Sequence, residues 1–530
     1  MIPPITPAMQ RAVVPFLALF PILSGFLSLS LGQDANWDLR NYHWYNAHAF
    51  LTGRLGLDVA PGQIATYYNP TLDLPFYLAA RDLPARLVGF LLGAVQGLNL
   101  LLLFGLTRSL LAPLGKWRDA AALAVGLSGF FGAGQIGLIG TTFYDNVISL
   151  FVLGGVWLAA ADMTALLDGR PLRAFTRAAL AGFLVGCGAG LKQPTVVFAV
   201  GSCFAFLLMP TSVRRRLFLS FFFGLGVLAG IALFSGHWMW YLWETYGNPL
   251  FPYFNHLFQS PWALPEAHRD DKFVPAGLWE ALFFPFRWVA DPLQVGEITF
   301  RDLRIPTAYA VLLATPFLLP WRRAAGATIT APRIGRYLIA TAILSYLAWL
   351  KLFSIYRYLI PLEMMAPLVI VAAIGLWPVP ARIQGMLIAA LLALVTVTAQ
   401  PGSWGRVAWT GNFVQIQAPP IPDPDRTLIL MTGFAPTSFL ISGFPPQITF
   451  LRVQSYLVHP EQGNTGLNRH MAERIAAHRG DIFVLMAPWD DWTFEDVLPH
   501  FGLTAEEEDC RPVLSNLDEP MHLCRARRQG

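Results

Sequence analysis

The chain has 530 residues, 55% of them hydrophobic and only 13% charged, with a mean hydropathy of +0.48. A soluble domain carries roughly 25% charged residues, so this shortage excludes an ordinary water-soluble enzyme and points to a polytopic membrane protein. The formal net charge of +4 is too small to indicate nucleic acid as a partner.

In chain order, Arg11 precedes an apolar run at residues 13–31, long enough to remain as an anchor rather than be removed as a signal. Further apolar stretches at 85–106, 119–139, 146–166, 178–191, 194–209, 217–236, 305–320, 337–352, 357–377 and 383–400 predict about eleven membrane-spanning helices in all. Basic residues fall in alternate loops: Arg108, Lys116 and Arg118; Arg170, Arg173 and Arg177; Arg214, Arg215 and Arg216; Arg322, Arg323, Arg333 and Arg336; then Arg382. Placing these in the cytoplasm puts the N-terminus inside and residues 401–530 outside. The opposite short loops carry only Lys192, Lys351 and Arg357.

Non-membrane mass is expected in three places. Residues 32–84 form a first outer loop, in which 40–53 suits an interfacial helix with Tyr42, Tyr45 and Phe50 along one side. Residues 237–304 form a second, opening with the ring-rich run His237-Trp238-Met239-Trp240-Tyr241-Leu242-Trp243, which fits the headgroup zone. Residues 401–426, rich in Pro, Gly and Gln, read as a linker. Beyond it, strand-like runs at 427–431 and 481–486 flank a helix-like segment at 466–479, which predicts a small α/β domain over 427–530. The whole is mainly α: a helical membrane bundle over residues 1–400 with a C-terminal extracytoplasmic α/β domain. Cys187 and Cys203 fall in apolar spans as packing residues, whereas Cys510 and Cys524 lie where an oxidising compartment permits a disulfide.

The polar residues at the outer ends of the spans are the candidates for chemistry. Asp38 and Asp34 follow the first span, with Tyr42 and His43 close behind. A carboxylate at the membrane boundary can deprotonate an acceptor hydroxyl. Its alternative is an interfacial ion pair with Arg40, and Asp34 can instead cap the next helix. Asp145 opens a later span, where it can position an acceptor, join Asp38 in holding a divalent cation, or simply sit at a helix N-terminus. Lys192, Lys351 and Arg357 suit a phosphate, Arg through bidentate contacts, or else reach toward bilayer headgroups. His43 reads more readily as a structural hydrogen-bond partner than as a ligand. No Gly-rich phosphate loop and no metal-ligand spacing appears in the outer tail.

This layout resembles the GT-C superfamily of integral-membrane glycosyltransferases. The resemblance rests on Asp38-Leu39-Arg40-Asn41-Tyr42 after the first span, Thr142-Phe143-Tyr144-Asp145-Asn146 opening a later one, Gly188-Ala189-Gly190-Leu191-Lys192, and Arg357-Tyr358-Leu359-Ile360-Pro361. The ending in a soluble domain is similar to lipid A aminoarabinose transferases and protein mannosyltransferases. The likeness covers residues 1–400 in layout and short patches in sequence. It implies inverting transfer of a sugar from a polyprenyl-phosphate-linked donor to a glycan, lipid or protein acceptor outside a bacterial inner membrane. Within it Asp38 would be the base and Arg357 the donor-phosphate contact, with Asp34 departing from the pattern as a second acidic residue. Two other readings stay open: an O-antigen polymerase or ligase, which would favour Arg-rich outer loops, and a lipid or sugar transporter, which would favour polar residues at mid-membrane.

Overall fold

The computed structural model describes residues 7–318, 328–462 and 464–529; Arg322 and Arg323, assigned above to a cytoplasmic loop, lie outside them. The chain divides into two compact units. One comprises Met1–Leu31, Phe90–Phe234 and Asp270–Trp404, the other Gly32–Gly89, Ser235–Arg269 and Gly405–Gly530.

The first unit is helical. Among the described residues five helices are long and apolar enough to cross a membrane: Ala12–Leu31, Ala85–Leu110, Pro171–Leu191, Val213–Tyr246 and Tyr356–Ile374. The expected count of about eleven is therefore not reproduced. The other six stretches contain helix that is shorter or more charged. Arg118–Phe130 breaks at Gly132, whose backbone is extended, and Pro332–Leu352 carries Arg333, Arg336 and Lys351. Asp145–Ala161, Gln193–Leu208 and Ala381–Val397 are simply short, and Arg304–Leu318 reaches the last described residue before 328.

Tyr356–Ile374 is the interior element, with 94% of its apolar window buried. A helix apolar on every side belongs in a core, and here it packs against Arg304–Leu318, Pro332–Leu352 and Arg118–Phe130. A second device is a glycine seam. Gly182, Gly186 and Gly190 face the backbone of Phe223, Val227 and Ile231, while Gly226 and Gly230 face that of Ala179 and Phe183. Small residues at this spacing let two helices approach until their backbones touch.

The second unit is built on a six-stranded mixed sheet. Its strands are β3 (Ile416–Gln417), β4 (Thr427–Met431), β5 (Thr449–Arg452), β6 (Asp481–Met486), β7 (Leu503–Ser515) and β8 (Met521–Arg528), in the order β3-β7-β8-β6-β4-β5. β4 runs parallel to both β5 and β6, and the remaining pairs are antiparallel. The Gly466–Ala477 helix carries the chain from β5 to β6, as a parallel crossover requires. Cys510 and Cys524 face each other across β7 and β8 and are bonded.

The first outer loop is part of this unit rather than a separate flap. β1 (Gln33–Asp34) pairs with β2 (Arg406–Val407), Gln33 donates to the Phe413 carbonyl, and Val59 bridges to Leu451. The buried Arg54 guanidinium is shared between Asp58 and the carbonyls of Pro446 and Ile448. Residues 401–426 consequently hold strand pairs and side-chain anchors instead of forming a free linker. The expected helix at 40–53 is present, but Tyr42 and Tyr45 are buried and only Phe50 is exposed. His237–Trp243 does not open a loop either, because the Val213–Tyr246 helix runs on to Gly247, whose φ of +69° ends it. Trp238 is buried there and donates to the Tyr67 carbonyl, while Trp240 and Trp243 are exposed.

Candidate functional site

In the second unit, Asp38 and Asp34 occupy different environments. Asp34 is fully buried, and its carboxylate accepts hydrogen bonds from the Asn36 side chain at 2.8 Å and from the Asn36 backbone at 3.1 Å. Burial pushes the guanidinium groups of Arg40 and Arg406 down from their ordinary range, while the Asp34 charge pulls both up. Asp34 is thus a strut among Asn36, Arg40 and Arg406. Asp38 is half-buried and takes a hydrogen bond from the Tyr42 hydroxyl at 3.1 Å. Arg40, the alternative ion-pair partner of Asp38, makes its salt bridge to Asp518. His43 Nδ1 meets Asp73 Oδ1 at 2.6 Å in a buried pair, and the Tyr42 ring packs edge-on against Tyr68 at 5.1 Å. The loop therefore presents Asp38 with Tyr42 beside it, held from behind by His43 and Asp73.

In the first unit, three of the predicted segments supply one cluster. Lys192 follows the glycine-rich helix and reaches Asp145 Oδ1 at 2.8 Å and the Phe143 carbonyl at 2.6 Å. Arg357 is buried, with its guanidinium 4.1 Å above the Phe143 ring and Nη2 3.3 Å from Glu297 Oε1. The Tyr358 ring lies 5.5 Å from Lys192 Nζ and 5.9 Å from the Arg357 guanidinium, so both cations border that one ring. Desolvation works to raise the Glu297 carboxyl, but the Arg357 charge and hydrogen bond overcome it and hold it below the usual carboxylate range. Lys351 is exposed on the last turn of Pro332–Leu352.

A buried scaffold that the sequence reading missed fixes this cluster. Glu363, inside the interior helix, accepts from the backbone N–H of Gly134 and Gln135 at 3.0 and 2.9 Å and from the Tyr356 hydroxyl at 2.6 Å. Asp302 accepts from the Ala133 N–H at 2.7 Å and from Arg304 at 2.5 Å, and Arg304 also donates to the carbonyls of Ser128 and Phe131. Burial pushes the Asp302 carboxyl up against the pull of Arg304. Gln135 in turn accepts, through its carbonyl, a 3.0 Å bond from Asn146, the neighbour of Asp145. Tyr356 thereby sets Arg357, and Gln135 sets Asp145. The available signal was a lone carboxylate in an otherwise apolar span, which is costly without partners and marks an organised site.

Chemically, two cations bordering one tyrosine ring suit a phosphate group, and a half-buried carboxylate suits a hydroxyl proton. At Asp145 the Lys192 ammonium already occupies Oδ1, one of the two carboxylate oxygens a divalent cation would use. Among the described residues no three His, Cys, Asp or Glu side chains converge as a metal site. Compared with protein-family models, curated proteins and solved structures, the chain matches none.

Proposed function

We propose that the chain is a membrane glycosyltransferase of GT-C type, with about eleven spans, a cytoplasmic N-terminus and its C-terminal domain outside a bacterial inner membrane. It would transfer a sugar, with inversion, from a polyprenyl-phosphate donor to a glycan, lipid or protein acceptor. The observation that carries this reading is the convergence of Lys192 and Arg357 on Phe143 and Tyr358, which supplies charge for a phosphate leaving group. The acceptor oxygen attacks the anomeric carbon, the bond from that carbon to the phosphate oxygen breaks, and the electron pair leaves with the lipid phosphate. Asp38 takes the hydroxyl proton and Tyr42 orients its carboxylate. Asp34, buried and already bonded, supports the loop, which favours Asp38 as the base.

The test is transfer of labelled sugar from a purified polyprenyl-phosphate donor by the detergent-purified protein. Asp38→Asn is expected to lower kcat by about 100-fold or more, and Arg357→Ala to raise the KM for donor. Full transfer by Asp38→Asn would defeat the assignment of the base. A protein that moves labelled donor across vesicles without releasing its sugar would be a transporter.

A further inference from the structure

The arrangement at the carboxyl ends of β4, β5 and β6 has no part in the chemistry above. β4 lies between β5 and β6, all parallel, and the chain leaves it first toward β5 and then crosses to β6 on the other side. In open parallel sheets this change of direction opens a crevice beyond the strand ends, where ligands bind. Here the three loops meet at Gly433, whose φ of +74° requires glycine. Gln454, after β5, accepts the Gly433 N–H at 2.8 Å, and the Asp490 carboxylate, after β6, packs on the space a Cβ would fill.

Each loop also exposes one large ring: Phe434 after β4, Tyr456 after β5 and Trp489 after β6, at 41%, 67% and 57% exposure. The Phe434 and Tyr456 rings pair at 4.5 Å. A globular surface does not gather exposed rings on three adjoining loops without a use for them. Asp490 is only 5% exposed, and its Oδ2 has no hydrogen-bond partner among the described residues. It is an acceptor that a ligand donor, or a water bridging to one, would satisfy.

We propose that this crevice binds an oligosaccharide lacking anionic groups, its sugar faces laid on the exposed rings and its hydroxyls directed to the acidic loop. Residues 487–497 carry Asp490, Asp491, Glu495 and Asp496 and no basic side chain. These four carboxylates outnumber the one cation beside Asp490, the buried Arg452 that donates to the Gly433 carbonyl, and so oppose both a uronate polymer and the anionic surface of a bilayer, the other place where exposed Trp and Tyr gather. The inference does not depend on glycosyl transfer, since binding needs no donor.

The test uses the full-length detergent-purified protein and saturation-transfer NMR with mannose, glucose and N-acetylglucosamine oligomers, an oligogalacturonate, and vesicles containing anionic phospholipid. At least one neutral oligomer is expected to bind and the oligogalacturonate not to. Trp489→Ala and Tyr456→Ala should each weaken binding by about tenfold, as loss of an aromatic anchor does, while Tyr456→Phe should preserve it. Both positions are exposed, so the variants should fold. Failure of every neutral oligomer, unchanged binding in both alanine variants, or ring-dependent binding to the vesicles instead would each overturn the proposal.

Discussion

Lys192 Nζ lies 2.8 Å from Asp145 Oδ1, an ion pair between residues 47 positions apart whose side chains are 13% and 6% exposed. Removing one partner leaves a charge in a nearly dry setting, at a cost of about 3–5 kcal/mol. Asp145→Asn is therefore expected to lower the thermal midpoint markedly, and Asp145→Asn with Lys192→Met to regain part of it. If Lys192 also grips the donor phosphate, the double variant regains stability but not transfer, which a melt and an assay on one preparation will distinguish.

The glycine seam predicts steric sensitivity. A Cβ at Gly226 would run into the Ala179 carbonyl, and one at Gly186 into that of Val227. Gly186→Leu and Gly226→Leu should each cost about 1–3 kcal/mol or prevent folding. Gly385→Ala, where nothing lies within 4 Å, should be neutral or mildly stabilising. Size-exclusion profiles and melting in detergent read all three.

The Cys510–Cys524 bond closes a short loop whose ends are 14 positions apart. Loop closure of this length stabilises by about 3 kcal/mol in the chain-entropy view. Thiol titration of the unfolded protein should give two groups, Cys187 and Cys203, before reduction and four after it. Four thiols without reductant would show the bond absent.

His48 supplies a pH signature. Burial, and then the Arg54 charge, lower its pKa to about 4, and its Nδ1 meets the Tyr77 hydroxyl at 2.8 Å. The unfolded chain titrates near 6.5, so between these values it binds more protons than the folded one. The contribution of neutral His48 is complete above about 6.5 and fades as pH falls toward 4. His48→Gln should flatten that part of the stability profile relative to the parent. An unchanged slope would remove His48 from the account.

What could be read from the sequence was local. β4 and β6 begin and end where the short apolar runs placed them, and the Gly466–Ala477 helix stops two residues before the expected end. Lys192, Asp145 and Arg357 were identified by charge in apolar surroundings, and the first two turn out to be partners. Fewer long apolar helices are found among the described residues than the hydropathy runs suggest, because hydropathy alone does not register breaks such as Gly132 or the charges of Pro332–Leu352. The merging of the first outer loop with the C-terminal sheet was invisible, since Gln33 and Phe413 are 380 positions apart and no periodicity connects them. Glu363 stands out in the sequence only as a carboxylate in an apolar span, because two of its three partners are backbone N–H groups, which leave no mark in composition.

The pairing of β1 with β2 also dictates an order of events during synthesis. Gln33 leaves the ribosome long before Arg406 has been translated, a delay on the order of tens of seconds at roughly 5–20 residues per second. Throughout that interval the nascent Asp34–His43 segment lacks the neighbours that shape it. Any message cut short ahead of Arg406 would leave the Asp38 loop without its template, even though every residue of that loop had been made.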